Sequence, residues 1–312
     1  MILLVAPRTT PRTALVAVST AVLLVLGATA CAGGGAPSAT APVGVASARQ
    51  APPVPPVPTT GGPSSSSASV RALPTGGVPD YQLGGAYAPA ADVTVVERDS
   101  TARPAAGVYS ICYVNGFQTQ PDETDDWLDH HPDAVLRDED GEPVSDPGWP
   151  DEVLLDTRTA ATRAEVLAVL SPVVARCADR GFAAVEFDNL DSWTRSDGRL
   201  TRAGNLALAA DLVRTGHAHG LAVGQKNTPQ LGATGRQRTG FDFVVAEECV
   251  QYDECSAYTD VYGDQVVDVE YADTLGRPWS EVCALAERPA MTILRDRDLV
   301  VPSDPAYVAE HC

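Results

Sequence analysis

The chain is poor in basic residues. It has 22 Lys and Arg against 41 Asp and Glu, a formal net charge of -19. Such a surface repels nucleic-acid phosphates and excludes that class of partner. It suits a cationic ligand, whose approach the field would assist, although an acidic surface also serves plain solubility. Paired C-x-x-C units are absent, which argues against a structural zinc site. Gly84-Gly85 is no Gly-rich phosphate loop. No elbow motif surrounds a Ser or Cys nucleophile. Asp138-Glu139-Asp140-Gly141-Glu142 lacks the twelve-residue ligand ladder of a calcium loop and reads as a solvated turn. The acids between Asp122 and Asp126 read as a helix N-terminal turn. His130-His131 has no partner at metal-ligand spacing. No metal or organic cofactor is implied, and no internal repeat is visible.

The N-terminus has the order of an export signal. Arg8 and Arg12 precede an apolar run, Ala14 to Ala30, which ends in Ala28-Thr29-Ala30-Cys31. A Cys directly after small residues looks like a bacterial lipobox, with Cys31 lipidated as the mature N-terminus. Ala28 departs from the usual Leu. Ordinary cleavage near Ala30 and an uncleaved anchor are the alternatives. Residues 1–31 are thus read as the signal. Residues 32–78, rich in Ala, Pro, Gly, Ser and Thr, bury too little apolar surface to offset their ordering entropy and read as a tether. This places a monomeric domain, residues 79–312, outside the cell membrane, attached through its lipid alone or secreted.

The chain has seven cysteines. An odd cysteine in an exported protein needs a separate role, which Cys31 supplies. The other six can close three bridges in an oxidising compartment. Proximity pairs Cys249 with Cys255 and Cys283 with Cys312, leaving Cys112 with Cys177.

From about Pro79 the pattern alternates between strands and helices. Candidate strands are Tyr81–Leu83, Val93–Val96, Gly107–Tyr113, Val153–Leu155, Ala183–Phe187, Leu221–Gln225, Phe241–Ala246, Gln265–Val269 and Ala290–Leu294. Helical periodicity runs from Arg158 to Arg180 and from Thr201 to His219. Such alternation means a mostly parallel sheet. Roughly 230 residues with this many strands fit a single-domain (β/α)8 TIM barrel, typically about 250. A doubly wound open sheet is the alternative.

Several of these strands end in chemistry. Val185-Glu186-Phe187-Asp188-Asn189-Leu190-Asp191 carries an apolar strand into acids and an amide, and Ala246-Glu247-Glu248-Cys249 does so again. In parallel α/β barrels the chemistry sits at the C-terminal face. Two carboxylates held there are the equipment of a glycoside hydrolase. The plainer reading is that these acids cap the following helices. Side chains alternate across a strand, so Glu186 and Asp188 share a face, as do Val245 and Glu247. Asp188 and Glu247 are therefore the candidate acid–base pair. Lys226-Asn227, Glu270-Tyr271 and Asp156 end other strands. Lys226 would lower a neighbouring carboxyl's pKa or bind a sugar hydroxyl, unless it is a surface lysine. Trp149, Trp193, Tyr113 and Tyr271 lie where sugar rings stack, or belong to the core.

Taken in order, Tyr81-Gln82-Leu83, Ile111-Cys112-Tyr113-Val114, Leu154-Leu155-Asp156, Glu186-Phe187-Asp188-Asn189-Leu190-Asp191, Gln225-Lys226-Asn227, Glu247-Glu248-Cys249 with Tyr252 and Glu254-Cys255, and Glu270-Tyr271 resemble the endo-α-1,4-polygalactosaminidases, glycoside hydrolase family 114. The resemblance spans about Pro79 to Cys312. Phe187 stands where the family usually has Pro, and Gln225 where it often has Leu or Met. The resemblance implies a TIM barrel, an extracellular habitat and retaining cleavage of α-1,4-linked galactosamine polymers. It places the catalytic acids at Asp188 and Glu247; we read Asp188 as the nucleophile and Glu247 as the acid/base, with the reverse assignment as the alternative. Tyr113, Asp156, Glu186, Asn189, Asp191, Lys226, Asn227, Glu270 and Tyr271 are the candidate substrate-binding residues. The rival expectation is a surface lipoprotein that binds polysaccharide on the same barrel without turnover.

Overall fold

A computed structural model describes residues 69–312. The signal, Cys31 and residues 32–68 of the expected tether lie outside the described residues. Among the described residues no helix is long and apolar enough to cross a membrane.

Nine strands form one sheet, paired in chain order. They are β1 (Val78–Gln82), β2 (Val93–Asp99), β3 (Tyr109–Asn115), β4 (Ala184–Asp188), β5 (Ala222–Lys226), β6 (Phe243–Glu247), β7 (Val266–Tyr271), β8 (Met291–Arg295) and β9 (Ala309–His311). β1 to β8 are mutually parallel, and β9 runs antiparallel on β8. The sheet curls until β1 lies beside β8 without a ladder between them. Arg295, wholly buried at the end of β8, bridges this seam. Its guanidinium donates to the carbonyl of Tyr81, to Val300 O at 3.1 Å and to Val308 O at 2.8 Å, and lies 3.6 Å from Asp80. A buried guanidinium needs this many acceptors to offset its lost hydration.

The expected barrel is present, with fewer helices than the full pattern. Among the described residues the five helices are α1 (Thr124–His130), α2 (Ala160–Arg180), α3 (Arg202–Ala218), α4 (Cys255–Tyr262) and α5 (Trp279–Ala284). None follows β1 or β2, and only short 3-10 and π turns follow β5. α2 starts on a reciprocal Thr159–Thr162 capping box and stops at Gly181, whose φ of 93° only glycine adopts freely. It buries Val166, Leu170, Val174 and Cys177, one stripe of the helical period. α3 is capped by the Thr201 hydroxyl, which accepts from Gly204 N at 3.1 Å.

Strand parity builds two cores. Tyr81, Val95, Ile111, Ala184, Ala222, Val245, Val269 and Ile293 fill the barrel interior. Cys112, Val114, Val185, Phe187, Val223, Val244 and Val266 face the helices. The expected Val153–Leu155 strand is not a barrel stave. It makes isolated antiparallel bridges to Gln118, Val135 and Ser145 within the long β3–α2 connection. A short apolar run has the same pattern in a loop ribbon as in a barrel strand, so periodicity could not separate them. The three expected disulfides are formed: Cys112–Cys177 ties β3 to α2, Cys249–Cys255 closes the loop after β6, and Cys283–Cys312 fastens the C-terminus.

Candidate active site

The C-terminal ends of the parallel strands open into a cleft of about 410 Å³. Asp188 and Glu247, the last residues of β4 and β6, both line it. Immediately after them the chain turns through left-handed residues, Asn189 at φ 61° and Glu248 at φ 62°; Asn227, after β5, has φ 45°. Side chains other than glycine rarely adopt this conformation outside Asn and Asp, and such strain clusters at working sites. Here it is offset by specific bonds. Asn189 Nδ2 donates to Asn115 at 2.8 Å, and Glu248 accepts from Arg297 at 3.1 Å and from the Thr274 hydroxyl.

Lys226 is the chain's only lysine. It is not a surface residue: 1% exposed, it ends β5 under the cleft floor. Its Nζ lies 2.9 Å from Asp188 Oδ2, 3.7 Å from Glu247 Oε1 and 3.8 Å from Glu186 Oε1, and donates to the Tyr81 hydroxyl at 3.1 Å. Burial disfavours its charge, but the carboxylates around it hold its pKa well above the ordinary lysine value.

The two cleft acids differ in their partners. Burial would raise the Asp188 pKa, but the charge and hydrogen bond of Lys226, the Asn189 N–H at 2.5 Å and the Tyr113 hydroxyl at 2.9 Å hold it below the usual carboxylate range. Glu247 accepts from the Tyr271 hydroxyl at 2.6 Å and from Asn227 Nδ2 at 3.1 Å, while Asn227 Oδ1 accepts from the Glu247 N–H at 2.7 Å. Asn227 thus fixes both backbone and carboxylate of Glu247. Burial, with the nearby carboxylates, pushes both tyrosine hydroxyls well above their ordinary pKa, so they stay protonated donors.

The cleft therefore brings together Asp188, Glu247, Tyr113, Asn189, Asp191, Asn227 and Tyr271, with Lys226 beneath. Three of the expected substrate-binding residues do not line the cleft. Asp156 pairs with Arg158 at 2.7 Å in a separate surface hollow, because Val153–Leu155 does not belong to the barrel. Glu270 has the parity of Asp268 and Val266, so it points outward and accepts from Val250 N at 2.8 Å. Glu186 is interior but sealed one layer below Asp188, at 0% exposure. Of the aromatics, Trp149 lines the cleft at 61% exposure and Trp193 packs against the core.

Other cleft residues were not legible in the sequence. Asp146, Gln118 and Glu152 come from the β3–α2 connection. Arg195 binds Asp146, Asp191 at 2.6 Å and Asn189 at 3.0 Å, and Glu152 accepts from Gln118 at 2.6 Å and Asn115 at 3.1 Å. Arg297 lies over the Tyr271 ring at 4.0 Å. Their loop positions carry no periodicity that could have marked them. Among the described residues one grouping has metal-ligand spacing, Cys249, Cys255 and Asp268, and its two sulfurs are spent in a disulfide.

A strand-end cleft in a barrel with two carboxylates of unlike surroundings is the architecture of a glycoside hydrolase. The model of glycoside-hydrolase family GH114 matches residues 61–312, and the chain belongs to that family. Comparison with curated protein sequences finds no match. Among solved structures the chain is similar to Ega3 of Aspergillus fumigatus, determined in complex with galactosamine: 20% identity, 80% of this chain and 100% of that one covered, TM-score 0.61. It is also similar to the glycoside hydrolase domain of PelA from Pseudomonas aeruginosa, with 14% identity, 74% and 98% coverage and TM-score 0.51. At these identities the likenesses establish the fold.

Proposed function

We propose that this protein is an extracellular, endo-acting glycoside hydrolase that cleaves α-1,4-linked galactosamine-containing polysaccharide by retention, with Asp188 as nucleophile and Glu247 as acid/base. The observation that carries the reading is that both carboxylates contact one Nζ at 2.9 and 3.7 Å. Sharing that atom limits their two nearest oxygens to about 6.6 Å apart, which admits the retaining carboxyl spacing of about 5–5.5 Å. Asp188, kept ionised by Lys226, attacks the anomeric carbon while Glu247 protonates the departing oxygen. A covalent glycosyl ester on Asp188 follows. Glu247 then takes a proton from water, which displaces Asp188 and releases the sugar with its configuration kept.

The substrate class draws support from the galactosamine held by Ega3 and from the cleft's charge. Asp146, Glu152, Asp188, Asp191 and Glu247 line it against Arg195 and Arg297. Deacetylated galactosamine units are cationic and would be drawn there. Trp149 offers a ring for stacking. Three disulfides suit an oxidising compartment, and lipid attachment at Cys31 remains part of the proposal.

The test is oligosaccharide release from partly deacetylated α-1,4-galactosaminogalactan at increasing salt. The expected result is turnover that weakens as ionic strength rises. Binding without product would favour the non-catalytic binder, and turnover indifferent to salt would remove the role given to charge.

A further inference from the structure

Glu186 projects inward from β4 one layer below Asp188, and Glu97 projects inward from β2. They are 0% and 2% exposed. None of their four oxygens receives a hydrogen bond from a protein donor, yet the two carboxyls lie within hydrogen-bonding range of each other. Two ionised carboxylates so placed would repel, and burial removes both from bulk solvent. One proton between them converts the repulsion into a charge-assisted hydrogen bond. The titratable groups facing the pair are Tyr81 from β1, Tyr113 from β3, Asp188 from β4, Lys226 from β5 and Glu247 from β6, of which Lys226 alone is cationic. Arg295 of β8 is turned to Asp80 and Asp296.

We propose that Glu186 carries this proton and donates it to Glu97, and that the pair acts as positioning residues: a neutral Glu186 leaves the charge of the single lysine to Asp188. The distances agree, with Lys226 Nζ at 3.8 Å from Glu186 and 2.9 Å from Asp188. Burial first, then the neighbouring Glu97, also push the Glu186 carboxyl well above its ordinary range. An ionised Glu186 would compete for Lys226 and release Asp188 toward protonation. The inference rests on Asp188 being the ionised acid of the proposed hydrolase.

The experiment is a pH titration of the full chain carrying ¹³C-carboxyl Glu and Asp, with Glu186 and Asp188 signals assigned by Glu186→Gln and Asp188→Asn. The parent should show a neutral Glu186 at pH 7. In Glu97→Gln the new amide donates to Glu186, which ionises and draws on Lys226, and the Asp188 midpoint rises by about one pH unit, roughly tenfold in its ionised fraction at lower pH. In Glu97→Gln/Glu186→Gln the carboxylate competitor is gone, and the midpoint should return to the parent value. A purely structural role would leave the double variant no better than the single. A parent with ionised Glu186 at pH 7, or a double variant that stays shifted, overturns the proposal. These titrations use no substrate: if they hold and no polymer is cleaved, it is the hydrolase reading that fails.

Discussion

Lys226→Met keeps most of the side-chain stem and deletes the one charge that Asp188 and Glu247 share. Removing one partner of a buried ion pair costs about 3–5 kcal/mol, because the remaining charge is left unpaired in low dielectric. The sign of its pH dependence follows from the two shifts. Asp188 lies below its ordinary pKa in the fold, so its stabilising contribution is present above about pH 3.9 and is lost as pH falls through the folded value. Lys226 lies above its ordinary pKa, so its contribution is full below about pH 10.4 and is lost as pH rises through its folded value. In Lys226→Met, burial acts on Asp188 against only the Asn189 and Tyr113 donors, so its pKa rises and ionising it becomes a cost. The parent should exceed the variant by about 3–5 kcal/mol in urea denaturation at pH 7, and the gap should shrink toward pH 4. The acidic limb of kcat/KM should move up by about 1–3 pH units. Equal stability at pH 7, or a gap that widens on acidification, would refute the reasoning.

Two further outcomes follow from the geometry. Asn227→Ala removes both amide bonds to Glu247, and kcat should fall about 10²-fold with little change in KM, read by initial rates. The bridges should separate stability from activity. Loss of Cys112–Cys177, which spans 65 residues, should cost about 4 kcal/mol, and loss of Cys249–Cys255, which spans 6, about 2 kcal/mol. The shorter loop follows Glu247 directly, so Cys249→Ala/Cys255→Ala should lower activity more than Cys112→Ala/Cys177→Ala, with chemical denaturation and product release measured side by side.

What was legible in the sequence is what obeys a short period. Eight of the nine strands expected from alternation are barrel staves, and α2 and α3 begin and end within two residues of their expected bounds. Two-residue parity placed Glu186 with Asp188 and Val245 with Glu247, and the barrel turns both cleft acids to one mouth. The same rule explains the error at Glu270. The residue after Val269 faces outward, and the next one, Tyr271, faces in. Glu97 escaped notice because the expected strand stopped at Val96, one residue short of it. Asp146, Glu152 and Arg195 meet through long-range closure of the connection between β3 and α2 and the turn after β4, which local pattern does not encode. The seam residue Arg295 and the three-residue β9 are likewise products of closure. Lys226 illustrates the limit best: a lone lysine at a strand end reads as surface or site, and only packing makes it the 1%-exposed centre of three carboxyl groups.

The measurement that bears most directly on the account is product release from partly deacetylated α-1,4-galactosaminogalactan by the parent beside Asp188→Asn and Glu247→Gln. The account predicts oligosaccharides of retained configuration from the folded, oxidised parent and at least about a hundredfold less from either variant. No product from the folded parent, or near-parent turnover by either variant, would contradict it.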